Sequence, residues 1–165
     1  DTGVIKENAP LTWRYLQRHK ELLDGRRSSI YKDKPPFSVF GIGPYTFAPW
    51  KVAISGFYKS LRFRVVGPHT GKPVVFDDTV YFLACWSKEE AELISSLLNS
   101  TPAHELLESM LFWDEKRPIT IELLKRLSIR ALASELGLEE QLLEVTTREL
   151  SEQEARAEYQ VALNF

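Results

Sequence analysis

The chain has 165 residues, of which 44% are hydrophobic, 12% aromatic and 27% charged. This length and composition suit one globular domain with a packed core, and they exclude a disordered chain or a coiled rod. No apolar run approaches the ~20 residues needed to cross a bilayer, and the first ten residues carry no secretory signal pattern. We therefore expect a cytoplasmic protein without a membrane partner. The chain begins with Asp1 instead of methionine, which suggests a piece of a longer protein.

The charges are distributed unevenly along the chain. Residues 1–76 contain 13 Lys and Arg against 5 Asp and Glu, whereas residues 77–165 contain 8 against 18. A positive half suits a polyanionic partner, but the two halves could equally neutralise each other in the fold. The single cysteine, Cys85, lies in an apolar run and is predicted to be a buried structural thiol.

The first half of the chain predicts a helix followed by strands. Residues 10–24 place apolar side chains near helical spacing, and Gly25 is positioned to end the helix. Short apolar runs then alternate with turn residues, which favours strands that pair antiparallel. The predicted strands are residues 37–42, 52–54, 61–66, 74–76 and 79–86.

The second half predicts helices with recognisable starts. Ser87 and Glu90 form a capping box for a helix that continues to about residue 99. Pro102 suits the first turn of a second helix, and Thr120 is a candidate cap for a third. The third helix is predicted to bury three apolar residues, Ile121, Leu124 and Leu127.

Shorter helical segments follow to the end of the chain. Residues 130–136 and 138–145 predict two helices separated by Gly137, and the tail from Ser151 predicts another. The fold class is therefore predicted as α+β. It combines a first helix, a curved and mostly antiparallel sheet, and a C-terminal helical layer.

Two short segments are similar to methyltransferase loops without completing a site. Residues 40–43, Phe-Gly-Ile-Gly, match a glycine pattern that many methyltransferases place beneath S-adenosylmethionine. Residues 34–37, Lys-Pro-Pro-Phe, are similar to the tetrapeptide that holds a flipped base, but its first position needs an acceptor and Lys34 has only donors. The two segments are also too close to come from separate strands. No complete catalytic site is predicted, so this fragment is not expected to be an enzyme.

A metal-dependent nuclease is one alternative. Asp77, Asp78 and the run Asp114, Glu115 and Lys116 supply the residue types that such a site needs. Their predicted positions in a turn and a loop argue against it. The three histidines lie on different predicted elements, so neither a histidine metal site nor a catalytic triad is predicted.

Basic, aromatic and hydroxyl-bearing residues alternate between residues 26 and 64. Lys and Arg neutralise phosphates, hydroxyl groups fix the register, and Arg reads base edges. Arg62 and Arg64 flank Phe63, so in a strand both leave one face while Phe63 enters the core. The alternative is that the aromatic residues are core residues and the cations form a solvated face of the sheet.

Residues 31–45, Tyr-Lys-Asp-Lys-Pro-Pro-Phe-Ser-Val-Phe-Gly-Ile-Gly-Pro-Tyr, continue into residues 50–55, Trp-Lys-Val-Ala-Ile-Ser. This segment resembles the target recognition region of adenine-specific DNA methyltransferases of bacterial restriction-modification systems, including fused restriction-modification enzymes. Further similar segments follow the same order, at residues 11–29, 72–82, 90–99 and 112–120. The resemblance covers residues from about 10 to 128.

The resemblance implies a division of labour within a longer protein. Residues 1–128 would form the target recognition domain, which binds double-stranded DNA, and residues 129–165 a C-terminal helical extension packed on the same domain. An N-terminal methyltransferase domain of the same chain would bind S-adenosylmethionine and methylate the flipped adenine. The fragment itself is expected to bind no cofactor and no metal.

The residues expected to contact DNA are basic, aromatic or hydroxyl-bearing: Arg26, Arg27, Ser29, Tyr31, Lys32, Lys34, Tyr45, Lys51, Lys59, Arg62, Arg64, Lys116 and Arg117. Two other classes of protein stay open at this point. One is the metal-dependent nuclease, and the other is a non-catalytic protein-interaction module.

Overall fold

The computed structural model describes residues 2–147, so the helix predicted from Ser151 lies outside the described residues. The chain divides into two compact units between Gly43 and Pro44. The C-terminal extension predicted to begin at residue 129 stays a prediction. Among the residues that the structure describes, no helix is both long enough and apolar enough to span a membrane.

The first unit contains three short helices: α1 (Val4–Asn8), α2 (Pro10–Arg18) and α3 (Lys20–Asp24). The single helix predicted over residues 10–24 is therefore interrupted. At His19 the backbone leaves helical geometry, with φ of −105° and ψ of 15°, and its amide is shared between two carbonyl groups. Gly25 follows the last residue of α3, as predicted.

The strand predicted over residues 37–42 is absent from the described structure, and this prediction was wrong. A 3-10 turn at Ser29–Tyr31 leads into irregular backbone, in which Phe37 and Gly41 have φ of +65° and +75°. Positive φ is incompatible with an extended strand. Phe37 is buried edge-on against Trp13, with ring centroids 5.4 Å apart, whereas the other apolar side chains of the run, Val39, Phe40 and Ile42, are exposed.

The second unit begins with a 3-10 turn at Pro44–Phe47 and contains an antiparallel sheet of three strands. The strands are β1 (Trp50–Ser55), β2 (Arg64–Val66) and β3 (Val80–Cys85), in the order β2-β1-β3. Val52 on β1 lies opposite Val65 on β2 and Leu83 on β3. Residues 74–76, predicted as a strand, lie outside the sheet. Pro73 directly before them has no amide hydrogen for a strand ladder.

Helices follow the sheet: α4 (Lys88–Leu98), α5 (Thr101–Glu108), α6 (Ile121–Leu124), α7 (Ile129–Glu135) and α8 (residues 139–147). The predicted cap at Ser87 is confirmed, because Glu90 N donates to Ser87 Oγ at 3.1 Å. The Glu90 carboxylate accepts from Trp86 N at 2.7 Å, one residue before the cap. The predicted cap at Thr120 is confirmed by a bond of 3.2 Å from Leu123 N to Thr120 Oγ1.

The core lies between the sheet and the helices of the second unit. It is built from β1, from the residues before β2, from the end of β3, from α4, α5 and α7, and from the loop before α6. It includes Val52, Ile54, Leu61, Phe63, Cys85, Leu97, Leu107, Ile119 and Leu132. Cys85 is buried, as predicted. The predicted burial of Ile121 is wrong, since its side chain is 41% exposed. Helix α6 makes barely one turn, and Leu123 and Leu124 provide its core contacts. The α+β fold class is confirmed.

Candidate nucleic-acid interface

Arg62 and Arg64 lie on the exposed side of the segment that leads into β2. Leu61 and Phe63 are buried in the core, whereas Arg62 and Arg64 are exposed. This alternation follows from extended backbone, in which successive side chains point in opposite directions. Neither guanidinium forms a salt bridge with another residue in the range 2–147. Their charges are therefore available to a partner.

The backbone between these two arginines is held by the side chain of Asn99, the residue that follows α4. Phe63 N donates to Asn99 Oδ1 at 3.0 Å, and Asn99 Nδ2 donates to Phe63 O at 2.9 Å. The same amide nitrogen donates to Ser95 O at 2.8 Å, which fixes its orientation. The Asn99 side chain thus satisfies the Phe63 backbone in the way a neighbouring strand would. Sequence analysis did not identify Asn99, since nothing in its sequence context indicates a partner 36 residues away.

A groove with a volume of about 740 Å³ runs along this segment. It is lined by residues 60–65 together with Ser95, Asn99 and His104. No Asp or Glu is among the described residues that line it. The Nε2 atom of His104 is buried and has no hydrogen-bond partner in the described structure. The groove is therefore cationic, with polar side chains along its far wall.

Basic residues of the first unit fall into two groups. Arg26 donates to Leu23 O and to Ser38 O, both at 2.7 Å, and its guanidinium lies 3.8 Å from the centre of the Tyr31 ring. These bonds tie the end of α3 to the loop that follows it. The exposed members of the predicted set in this unit are Arg27, Ser29, Lys32 and Lys34.

Lys51 does not lie on the surface, contrary to the sequence prediction. Its side chain is 1% exposed, and its Nζ donates to Ala48 O at 2.6 Å and lies 5.6 Å from the centre of the Phe82 ring. Burial lowers the pKa of Lys51, and nearby Cys85 opposes this with a smaller effect. Residues 51–54 of the central strand β1 are all buried, so both faces of the sheet are covered at this strand.

The remaining predicted residues lie in the second unit. Tyr45 and Lys59 are exposed, and so is Lys116 in the loop between α5 and α6. Arg117 already has partners, because its guanidinium lies 3.7 Å from the Asp78 carboxylate and 4.3 Å from the centre of the Phe57 ring. Arg117 therefore stabilises its loop, and Lys116 is the freer of the two cations.

The residues of the nuclease alternative do not assemble into a metal site. Asp77 accepts hydrogen bonds from Thr79 Oγ1 at 2.6 Å and Thr79 N at 2.9 Å, and these bonds lower the pKa of Asp77. Asp78 faces Arg117, and Asp114 lies in a loop. Within residues 2–147, no three His, Cys, Asp or Glu side chains are grouped so that they could hold a metal ion.

Comparison with known proteins identifies a relative of this chain. Over 132 residues the chain is 51% identical to the Type II methyltransferase M.NspV of Nostoc sp., and the match takes in 80% of this chain. The chain spans 28% of the length of that relative. No protein-family model matches the chain, and no solved structure matches it significantly. The chain is thus similar to one part of a Type II methyltransferase.

Proposed function

We propose that this chain is the DNA-recognition part of a bacterial Type II restriction-modification methyltransferase. It binds double-stranded DNA and selects the target sequence. An N-terminal methyltransferase domain of the same protein binds S-adenosylmethionine and transfers the methyl group to an adenine flipped out of the duplex. The observation that carries this proposal is the 51% identity to M.NspV over most of the chain. The parent protein acts on DNA in the cytoplasm.

A non-catalytic role for this part agrees with its local chemistry. Lys34 leads the Lys-Pro-Pro-Phe segment, and a lysine cannot accept the hydrogen bond that a target amine would donate. The glycine pair at residues 41 and 43 lies only a few residues further along the chain, in irregular backbone. Catalysis is therefore assigned to the methyltransferase domain, and recognition to this chain.

The distribution of charge favours a nucleic-acid partner. Residues 44–76 contain five Lys and Arg and neither Asp nor Glu. Four of these cations, Lys59, Arg62, Arg64 and Lys72, are exposed, and none of the four forms a salt bridge within residues 2–147. Binding to the phosphates of a duplex neutralises such side chains and releases counterions, which is the dominant non-specific contribution to DNA affinity.

The proposed contacts follow from exposure. In the first unit they are Arg27, Ser29, Lys32 and Lys34, and in the second Tyr45, Lys59, Arg62, Arg64 and Lys116. Arg26 and Tyr31 stack on each other and hold the loop that carries the exposed residues of the first unit. Arg117 has an equivalent role in its own loop. Lys51 is left out because it is buried.

Exposed apolar side chains on the helices of the first unit suit the proposed methyltransferase domain as a partner. Leu11, Tyr15 and Leu22 on α2 and α3 are 75%, 63% and 76% exposed. Leu11 and Tyr15 are four residues apart on α2 and therefore lie on one side of that helix, and contiguous exposed apolar surface is typical of protein interfaces. The same exposed side chains favour a non-catalytic protein-interaction module as the second candidate function.

Fluorescence anisotropy of a labelled duplex across a salt series tests the proposal, with polyglutamate as the control polyanion. We expect binding that weakens steeply with salt and that prefers DNA to polyglutamate. Repeated selection from a pool of random duplexes is then expected to enrich one common sequence. Equal binding to both polymers, or no enrichment, would contradict sequence recognition and favour the interaction module.

A further inference from the structure

The groove beside Arg62 and Arg64 contains a histidine that has no assigned role. We infer that this groove binds the sugar-phosphate backbone of one DNA strand, with His104 donating a hydrogen bond to a phosphate oxygen. This inference rests on the proposed function and adds a defined site to it. Three features of the groove support this assignment: its rigidity, its charge and the environment of the His104 ring.

The groove has one wall that is held in place before any ligand binds. Its strand wall is fixed by the paired hydrogen bonds between Asn99 and Phe63, at 3.0 and 2.9 Å. Ser95 Oγ donates to the same carbonyl of Phe63 at 3.5 Å. Leu61 and Phe63 anchor that wall in the core from the opposite side. A preformed site loses little conformational entropy when it binds, so its contacts contribute more fully to affinity.

The charge of the groove selects the class of ligand. Arg62 and Arg64 are its charged residues, and Ser60, Ser95, Asn99 and His104 are polar. With no carboxylate among the described residues of the lining, the groove is unsuited to a cation. Guanidinium, hydroxyl and ring N–H groups are the donors that proteins use towards phosphate oxygens. A phosphodiester backbone offers such acceptors at regular intervals along an extended groove.

The His104 ring is the least satisfied polar group of the groove. Its Nε2 atom is shielded from solvent and has no hydrogen-bond partner among the residues that the structure describes. Leaving a buried polar atom without a hydrogen-bond partner is unfavourable, so such atoms are uncommon in folded proteins. A phosphate oxygen in the groove supplies an acceptor once the ring turns towards it, and side-chain rotations of this kind are common at interfaces.

The chain with ¹³C-labelled histidine tests this assignment directly. It contains three histidines, so single substitutions assign each ring signal. On titration with a short mixed-sequence duplex, we expect the His104 signal to shift in step with binding while the signal of His69, which lies outside the groove lining, stays in place. An unmoved His104 signal during saturable DNA binding would overturn the groove while leaving the proposed function standing. No binding of the duplex would overturn both.

Substitution provides the second measurement. We expect His104→Ala to weaken duplex binding about 3-fold to 10-fold, which corresponds to one lost hydrogen bond. His69→Ala is the matched control, because His69 is exposed in a tight turn formed with Lys72. We expect the His69→Ala variant to bind the duplex with the same affinity as the unmodified chain. Equal losses in the two variants would contradict the site. If polyglutamate shifts the His104 signal more than DNA does, the groove binds an acidic protein and the assignment to DNA is wrong.

Discussion

Arg62 and Arg64 owe their shared direction to the single residue between them. Because Phe63 is buried, both arginines face outwards, and the double variant Arg62→Gln/Arg64→Gln removes two charges from one site. We expect the slope of log Kd against log salt to fall by roughly two, about one for each lost phosphate contact. The measurement is the anisotropy titration across a salt series.

A matched pair of arginines controls for the loss of net charge. Arg126 and Arg130 are also exposed, but neither lines the groove. We expect Arg126→Gln/Arg130→Gln to leave the slope nearly unchanged, since distant exposed charges are screened at ordinary ionic strength. If both double variants reduce the slope equally, the effect reflects overall charge, and Arg62 and Arg64 have no special role.

Lys51 makes stability depend on pH in a defined direction. Its pKa is lowered by burial from an ordinary value of 10.5, so between its folded-state pKa and 10.5 the unfolded chain binds the extra proton. Stability rises with pH wherever the unfolded state binds more protons. We therefore expect the free energy of unfolding to increase with pH towards 10.5 relative to Lys51→Met. Denaturant titrations of both proteins at several alkaline pH values measure this difference. If the difference in free energy of unfolding between the two proteins stays constant or decreases with pH, burial of the charged Lys51 does not destabilise the folded chain.

Residue type alone could not separate surface cations from structural ones. Arg26 and Arg27 are neighbours, yet Arg26 bonds to Ser38 twelve residues away while Arg27 is exposed. Lys51 and Lys59 are the same residue type in the same basic segment, but only Lys51 lies in the central strand. The sequence therefore predicted a basic cluster, whereas the choice among its members depends on tertiary contacts that no local pattern contains.

At the scale of elements, Asn99 connects α4 to the edge of the sheet. Asn99→Asp keeps the shape and the acceptor for Phe63 N, but it removes the donor to Phe63 O and Ser95 O. We expect the free energy of unfolding to fall by about 1–3 kcal/mol, because a buried carbonyl then faces a carboxylate. Chemical denaturation measures the change.

The control for this variant lies on the same helix. Ser96 donates only to Leu93 O, an exposed bond within α4, so Ser96→Ala is expected to change stability by less than about 0.5 kcal/mol. Equal stability of Asn99→Asp and the unmodified chain would mean that the Asn99 bonds to Phe63 do not hold the segment in place.

Helix starts were predictable from the sequence, whereas strands were only partly so. The caps at Ser87 and Thr120 depend on a side chain and an amide three residues away, and both form. Strands at residues 37–42 and 74–76 required a partner strand that the fold does not provide. Without a partner strand, Phe37 packs against Trp13, while Val39, Phe40 and Val75 stay exposed. Helix caps, which depend on local hydrogen bonds, can therefore be predicted from a single sequence, whereas strand pairing cannot.

For the whole molecule, the charge boundary and the structural boundary do not coincide. The basic part of the sequence ends near residue 76, but the chain divides at residue 43. Residues 44–76 therefore share one unit with the acidic segment that follows. Among the described residues no salt bridge joins these two segments. The charge counts left open that the basic and acidic segments neutralise each other. In the described residues, the cations of residues 44–76 form no direct ion pairs with the acidic segment.

Removal of residues 1–43 tests how the two units contribute to stability and binding. All residues of the core cluster lie at position 50 or beyond, so we expect the chain that starts at Pro44 to retain cooperative unfolding and near-ultraviolet circular dichroism. Its salt slope for DNA is expected to fall, because Arg27, Lys32 and Lys34 are lost, while Arg62→Gln/Arg64→Gln still reduces it further. An unfolded fragment would show that the core needs the first unit. A folded fragment with an unchanged slope would remove the cations of the first unit from the interface and leave the groove as the main contact with the phosphates.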